Sequence, residues 1–406
     1  MDKELFNLIE KEKKRQEEEI NLIASENYVS SEVLKATGSI LTNRYSEGYP
    51  ENRYYGGQMY IDQIEKLAMG RAKKMFNLDD SWHVNVQPYS GSPANNAIYL
   101  ALLNFGDTLM GMSLSCGGHL THGASVSFSG KAYRVVQYGV GSDGYLDYEN
   151  IQHLAIEYKP KLIICGYTAY PRIIDFKRFK KIAQSIGAYL LADISHIAGL
   201  VVSGVHPSPF PYADVVMTTT HKTLRGPRGA IIFCKKELAE KIDKAVFPGF
   251  QGGPHDHITA AKAVAFYEAL QPLFKNYAKQ IIKNAQALAG KLKKLGFRLI
   301  TGGTDNHLIL VDLTNKGISG KDCQNLLENV GIIVNKNSIP YDFRPASDPS
   351  GIRLGTPAVT TRGFKEKEME RIAFWIDQTI KKRNNKKELE KIKRQVKILC
   401  QKFPIP

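Results

Sequence analysis

Between residues 107 and 233 short apolar runs alternate with helical or loop segments, at 108–112, 133–136, 162–165, 189–192, 215–219 and 230–233. Runs of that length suit buried strands better than helices. With a helical pattern over 176–186 joining two of them, the βα rhythm predicts an α/β fold: a mostly parallel sheet with helices on both faces. In such a sheet a ligand lies off the carboxyl ends of the strands. Upstream, Ile61, Ile64, Ala68, Ala72 and Met75 recur at helical spacing. A charged helix over 4–20 carries Leu5, Phe6 and Ile9, too few to form a core alone, so it must pack on another element. A strand over 84–87 runs into a loop where Ser92 is placed to cap a helix and Pro93 to occupy its first position. Downstream, the helical pattern from 258 to 295 breaks near Pro272. The remainder reads α+β, with strands at 308–312 and 332–335, a helix over 320–329, the segment 351–357 and two last helices. These patterns predict an arm with binding loops over 1–55, a large domain over 56–270 and a smaller α+β C-terminal domain over 271–406.

Three predicted strand ends carry chemistry: Gly166 to Tyr170, Asp193 to His196, and His221-Lys222. Lys222 sits between a histidine and two arginines, Arg225 and Arg228, at the edge of an apolar strand. Burial and like charge push an ammonium toward its neutral amine, the form a Schiff-base nucleophile needs; a solvated turn lysine is the plain alternative. Asp193 ends an apolar strand, where an unpaired carboxylate is costly, so it either caps or pairs locally or faces a pyridine nitrogen and keeps it protonated. The Ser90-Gly91-Ser92 turn is an ordinary cap or a phosphate cradle. His119, in a glycine-flanked loop with His122, has no Cys or carboxylate at ligand spacing, which leaves stacking on an aromatic ligand or a simple turn, and no metal site. Arg353, hemmed by Gly351, Gly355 and Thr356-Pro357, suits a carboxylate held bidentately. The loops at 22–28, 41–50 and 53–57 are dense in tyrosine, hydroxyl and carboxylate, a composition that serves binding more than packing.

Composition narrows the class. The net charge of +15 raises the question of a nucleic-acid partner, but the excess lies in lysine-rich helical surface, above all 381–402, with no interleaved aromatics. No specific nucleic-acid partner is expected. The charged first twenty residues and the lack of a long apolar run point to neither a secretory leader nor a membrane span. Five cysteines without paired spacing suit a reducing cytoplasm.

Taken together, Leu22-Ile23-Ala24-Ser25-Glu26-Asn27, Thr218-Thr219-Thr220-His221-Lys222-Thr223-Leu224 and Ser350-Gly351-Ile352-Arg353 resemble the serine hydroxymethyltransferase family, in order and at family spacing over essentially the whole chain. These are pyridoxal 5′-phosphate enzymes of the aspartate-aminotransferase fold type, fold type I. The resemblance implies transfer of the hydroxymethyl group of L-serine to tetrahydrofolate by way of a Schiff base on the cofactor, leaving glycine. It makes the large domain the cofactor-binding one. It gives Lys222 as the Schiff-base lysine, Asp193 as partner of the pyridine nitrogen, and His119 as the stacked imidazole. His196 and Thr168 fall near the phenolic oxygen, while Ser90, Gly91 and Ser92 hold the phosphate. Tyr45, Tyr55 and the Gly252-Gly253 loop arrive from a second subunit, which implies a homodimer with shared sites. Arg353, with Ser25 nearby, grips the substrate carboxylate. Glu47 and Tyr54 of the partner face the hydroxymethyl group and the folate, and Leu114, Gly118, Leu120 and Asn337 line the pterin pocket. His221 and Tyr55 join Lys222 and Glu47 in the catalytic group, and Arg228 supports the cofactor loop. Two departures stand out: Pro93 where the family has glutamine, and Pro171, which bears on the loop carrying Thr168. The lack of long insertions resembles the bacterial form. A threonine aldolase of the same fold would need the lysine, aspartate and arginine but no pterin pocket.

Overall fold

The apolar runs assemble into one sheet. The computed structural model describes residues 2–406, and its main sheet has seven strands: β1 (Trp82–Asn85), β2 (Thr108–Met112), β3 (Arg134–Tyr138), β4 (Leu162–Cys165), β5 (Tyr189–Asp193), β6 (Val215–Thr219) and β7 (Ala230–Lys235). Their order across the sheet is β1-β7-β6-β5-β4-β2-β3. Parallel pairing runs from β3 through β2, β4 and β5 to β6, as the βα rhythm predicts. Only β7 is reversed, pairing antiparallel with both β6 and β1. Residues 220–229 join β6 to β7 directly, and a loop that short cannot make the crossover a parallel neighbour requires. All residues of β4 and β6 are buried, which is why they read as continuous apolar runs without alternation. Ala94, Ile98 and Tyr99 of the Gly91–Leu102 helix pack over Leu109, Leu162, Leu191 and Met217 of the sheet. Each of the leucine, isoleucine and methionine side chains among them contributes roughly 1.5–3 kcal/mol by leaving water.

Three elements depart from the sequence pattern, each because of a specific hydrogen bond or strand pairing. The first strand lies at 82–85, not 84–87, because beyond Asn85 side chains take over the carbonyls: Lys262 Nζ donates to Val86 O (2.6 Å) and Pro88 O (3.0 Å), and Gln251 to Gln87 O (2.8 Å). The following helix starts at Gly91, with Ser90 rather than Ser92 as its N-cap residue, since the Ala94 amide donates to Ser90 O (3.1 Å). Pro93 is therefore the third helical residue, still inside the turn whose amides lack intrahelical acceptors, so its missing N–H costs nothing. The run at 332–335 is divided: Ile332–Ile333 pairs in parallel with Ile20–Asn21, and Asn335–Asn337 joins a different sheet.

The chain forms two compact units, one of residues 29–168 and 173–278, the other of residues up to 28, 169–172 and 279–406. In the second unit β8 (Arg298–Leu299), β9 (Leu308–Asp312), β10 (Asn335–Asn337) and β11 (Gly351–Gly355) form an antiparallel sheet in the order β8-β9-β11-β10. Ile309, Val311, Ile352 and Leu354 pack with Leu327, Ile372 and Ile376 in its core. The charged Lys3–Glu18 helix buries no residue and is held at its end by Arg362, whose guanidinium donates to Glu17 O (2.9 Å) and Glu19 O (2.8 Å). No helix among the described residues is long and apolar enough to cross a membrane.

Candidate active site

The turn after β6 is built by its own hydroxyls and backbone. Thr220 Oγ1 donates to Pro227 O (2.6 Å), Thr220 N to Gly229 O (3.0 Å) and Gly226 N to Thr220 O (2.7 Å). Thr223 ties this turn to the end of β5: its Oγ1 donates to His196 O (3.0 Å) and accepts from Gly199 N (3.0 Å). Lys222 is thereby held at 9% exposure, with Nζ donating to Thr219 Oγ1 (3.1 Å). The arginines behave differently. Arg225 pairs with Glu268 (3.4 Å) and lies over the Tyr277 ring, while Arg228 is exposed. Burial, then the charges of Lys222 and Arg228, take His221 down to about 3, so its imidazole is neutral.

β5 is the neighbour of β6, and Asp193 at its end pairs in register with Met217. The Asp193 carboxylate accepts from Asn95 Nδ2 (3.0 Å), His122 Nε2 (3.1 Å), Ser195 N (3.1 Å) and Ser195 Oγ (2.6 Å). Burial alone would raise its pKa, but the His122 bond and the imidazoles beside it hold the group below the ordinary carboxylate range. A side chain at 166 has no room: a Cβ there would stand 1.8 Å from Asp193 O, and φ at Gly166 is +110°. His119 Nδ1 meets Thr121 Oγ1 (2.8 Å) and accepts from Thr121 N (3.2 Å). Burial, with His122 next, lowers His119 to about 4, so it too is neutral. Thr168 is set against the same loop by its amide, which donates to Gly117 O (2.8 Å).

Ser90 spends no side-chain bond on capping, so its Oγ and the first-turn amides stay with the loop. Gly91 is needed there, since a Cβ would come within 2.8 Å of Thr219 Cγ2. A second cluster in the same unit joins Tyr55, whose hydroxyl donates to Glu47 Oε2 (3.1 Å), with Tyr45, edge-on to Tyr55 at 5.9 Å between centroids. The Gly252-Gly253 loop closes on it, a Cβ at 253 lying 3.3 Å from both Glu47 N and Tyr45. Tyr89, beside Ser90, donates to Gly253 O (2.6 Å). In the other unit, Arg353 on β11 is 6% exposed and donates to Asn335 Oδ1 (3.1 Å), with Ser25 Oγ at 3.5 Å. Gly355 makes that approach possible: its amide donates to Leu22 O (2.7 Å), and a Cβ would strike Ala24 Cα at 2.3 Å. Burial lowers Arg353 to about 10, which leaves it charged at neutral pH.

A family model described as serine hydroxymethyltransferase matches residues 1–376. The chain is also 58% identical over 405 residues to the serine hydroxymethyltransferase of Desulfotalea psychrophila (strain LSv54 / DSM 12343), an alignment covering 100% of this chain and 95% of that protein. The chain belongs to the serine hydroxymethyltransferase family. It is a transferase that uses pyridoxal 5′-phosphate and takes tetrahydrofolate as co-substrate, converting serine to glycine.

The residues present fit that cofactor: a buried amine after β6, a carboxylate kept ionised at the end of adjoining β5, a neutral imidazole after β2 and a helix start with unspent donors after β1. Of the remaining family positions, Leu114 and Leu120 are exposed apolar side chains (46% each) flanking buried Gly118 on the His119 loop, and Tyr54 is 73% exposed. Asn337, on β10, donates to Ser338 O (2.7 Å). The proline after Tyr170 leaves its own segment well anchored, with Pro171 O accepting from Asp305 N (2.9 Å). The sequence reading missed His122, Ser195, Thr121 and Asn95 as partners of the predicted residues. Asn95 had a visible signal: an amide flanked by Ala94 and, two and three residues on, by Ala97 and Ile98, on a helix whose face is buried.

Proposed function

We propose that Lys222, Asp193, His119, His196, Thr168 and the Ser90-Gly91-Ser92 loop bind pyridoxal phosphate, and that Arg353 and Ser25 bind the carboxylate of serine. The observation that carries this is Asp193: a carboxylate buried at 7% exposure yet furnished with four donors, one strand from a buried lysine. Surroundings that keep a carboxylate charged out of water suit the task of holding a proton on a pyridine nitrogen. The bound cofactor supplies an aldehyde and an electron sink for cleavage of the serine Cα–Cβ bond.

The protein's part is placement and proton movement. Lys222 offers the amine, steadied by Thr219, and His221 next to it presents a neutral ring that adds no second charge beside the amine. His119, uncharged, offers a ring face without desolvating a cation. Ser90, Gly91 and Ser92 direct a hydroxyl and helix-start amides at the phosphate. Glu47, bonded to Tyr55, moves the proton at the hydroxymethyl oxygen or the folate nitrogen. Leu114, Gly118, Leu120, Asn337 and Tyr54 cover the pterin, and Arg228 supports the turn. The Tyr45, Glu47, Tyr54, Tyr55 and Gly253 group serves a second subunit's cofactor and substrate, so the working unit is a homodimer. The exposed positions Ile40 (79%), Tyr45 (60%), Met59 (61%) and Tyr60 (68%) support it as apolar surface available for association. A cytoplasmic setting agrees with five free thiols.

The test is a serine-to-glycine assay with and without tetrahydrofolate, alongside borohydride reduction of wild type and Lys222→Ala. Tetrahydrofolate should raise turnover steeply, and the visible band and reducible adduct should vanish in the variant. An adduct that survives Lys222→Ala places the amine elsewhere.

A further inference from the structure

Asn95 lies one turn into the Gly91–Leu102 helix, just past the Ser90–Ser92 loop, and is completely buried. Its Nδ2 donates to two groups, Asp193 Oδ2 (3.0 Å) and Thr121 Oγ1 (2.9 Å). Turning the amide over would set its oxygen against a carboxylate oxygen out of reach of water, so the Asp193 charge dictates which way Asn95 points. Having accepted from Asn95, the Thr121 hydroxyl is left to donate to His119 Nδ1, 2.8 Å away. The Thr121 amide points at the same nitrogen (3.2 Å), which makes Nδ1 an acceptor and puts the ring proton on Nε2. Donor roles thus diverge from the Asn95 amide, to the Asp193 carboxylate on one side and through the Thr121 hydroxyl to the imidazole on the other.

We propose that Asn95 is a positioning residue for the cofactor: its amide couples the Asp193 carboxylate to the His119 ring through Thr121, fixing the orientation and tautomer of that ring. The effect on the cofactor rests on the binding reading above, whereas the coupling is a property of the protein alone. One helix then presents the phosphate loop at its start and, a turn later, the group that aligns the residues assigned to the two other parts of the same ligand.

Nitrogen NMR shifts of the His119 ring in the cofactor-free protein test the coupling, and cofactor titration tests its consequence. Wild type should show a neutral ring protonated at Nε2. Asn95→Ala and Thr121→Val should each move the Nδ1 signal, and the double variant should move it no further than the larger single change, because both cut one path. Asn95→Ala should weaken cofactor binding roughly tenfold or more, the loss of a hydrogen bond to a charged group, and shift the visible band of the bound cofactor. Should Asn95→Ala fail to fold, Thr121→Val reads the same path at the cost of one hydroxyl. An unmoved Nδ1 signal in a folded variant overturns the coupling. A moved signal with unchanged affinity and band overturns the positioning role. If wild type itself binds no pyridoxal phosphate, the binding reading fails while the coupling is judged by the NMR result.

Discussion

Arg353 shows how much a single side chain can be asked to do. Its guanidinium is 6% exposed and burial brings it down to about 10, yet it remains charged at neutral pH, so in the role proposed for it an already desolvated cation would meet the substrate carboxylate. Arg353→Ala should weaken serine binding by about 1.5–3 kcal/mol, measured as the serine dissociation constant of the cofactor-loaded enzyme, with cofactor affinity little changed. Glu47→Gln keeps the Tyr55 contact but removes the proton carrier, so cofactor should still bind while folate-dependent turnover falls; loss of the cofactor instead would make Glu47 structural. The neutral histidines make a pH prediction. His119 at about 4 and His221 at about 3 both lie below the ordinary 6.5. Unfolding therefore lets them take up protons, and their contribution to stability is complete above about 6.5 and lost as pH falls toward 4 and 3. Asp193 acts in the same direction, but below the ordinary carboxylate pKa of 3.8. Urea midpoints of the cofactor-free protein should drop between pH 6.5 and 4, and His119→Phe should flatten that slope.

At the scale of elements, the sequence was most legible where burial is two-sided. β4 and β6 have no exposed residue, so their limits fell at the ends of the apolar runs. It was least legible where a partner lies far along the chain. Nothing near Ile332 announces that it pairs with Ile20, and two serines suit the cap before Pro93 equally well until the Ala94 amide chooses Ser90. Lys222 and Asp193 stood out because polar groups at apolar strand ends need partners, and Arg353 because glycines hem it in; Asn95, despite its apolar helix neighbours, and His122 were missed because the partner of each, Asp193, lies far along the chain. Lys262 is a third kind of case. Set among Ala261, Ala263, Ala265 and Phe266 in its helix it reads in the sequence as a stray surface lysine, yet it is 1% exposed and its Nζ donates to Val86 O (2.6 Å), Pro88 O (3.0 Å) and Ala230 O (2.9 Å). It fastens the strand leading to the Ser90 loop to the strand returning from the Lys222 turn. Lys262→Met fills the same space but leaves three buried carbonyls without that donor, so it should cost more than about 3 kcal/mol. A melt within a degree or two of wild type would show the brace to be dispensable.

For the whole molecule the prediction concerns which chains complete one site. Glu47, Tyr55, Tyr45 and the Gly252-Gly253 loop form one cluster, and Lys222, Asp193 and His119, linked through Thr219, Ser195, Asn95 and Thr121, form another within the same chain. If the first cluster of one subunit serves the second cluster of its partner, two inactive variants should repair each other. Lys222→Ala lacks the amine and Glu47→Gln lacks the proton carrier. In a hybrid dimer with shared sites, one site inherits both defects and the other inherits neither. Random reassociation of equal amounts should then restore activity at roughly a quarter of the sites. Sites completed within one chain give no intact combination and no recovery. Co-refolding the pair with a tag on one variant, purifying the hybrid and counting restored turnover per cofactor separates the two arrangements. Mixing without refolding serves as the control, because a stable dimer exchanges subunits slowly and should gain little.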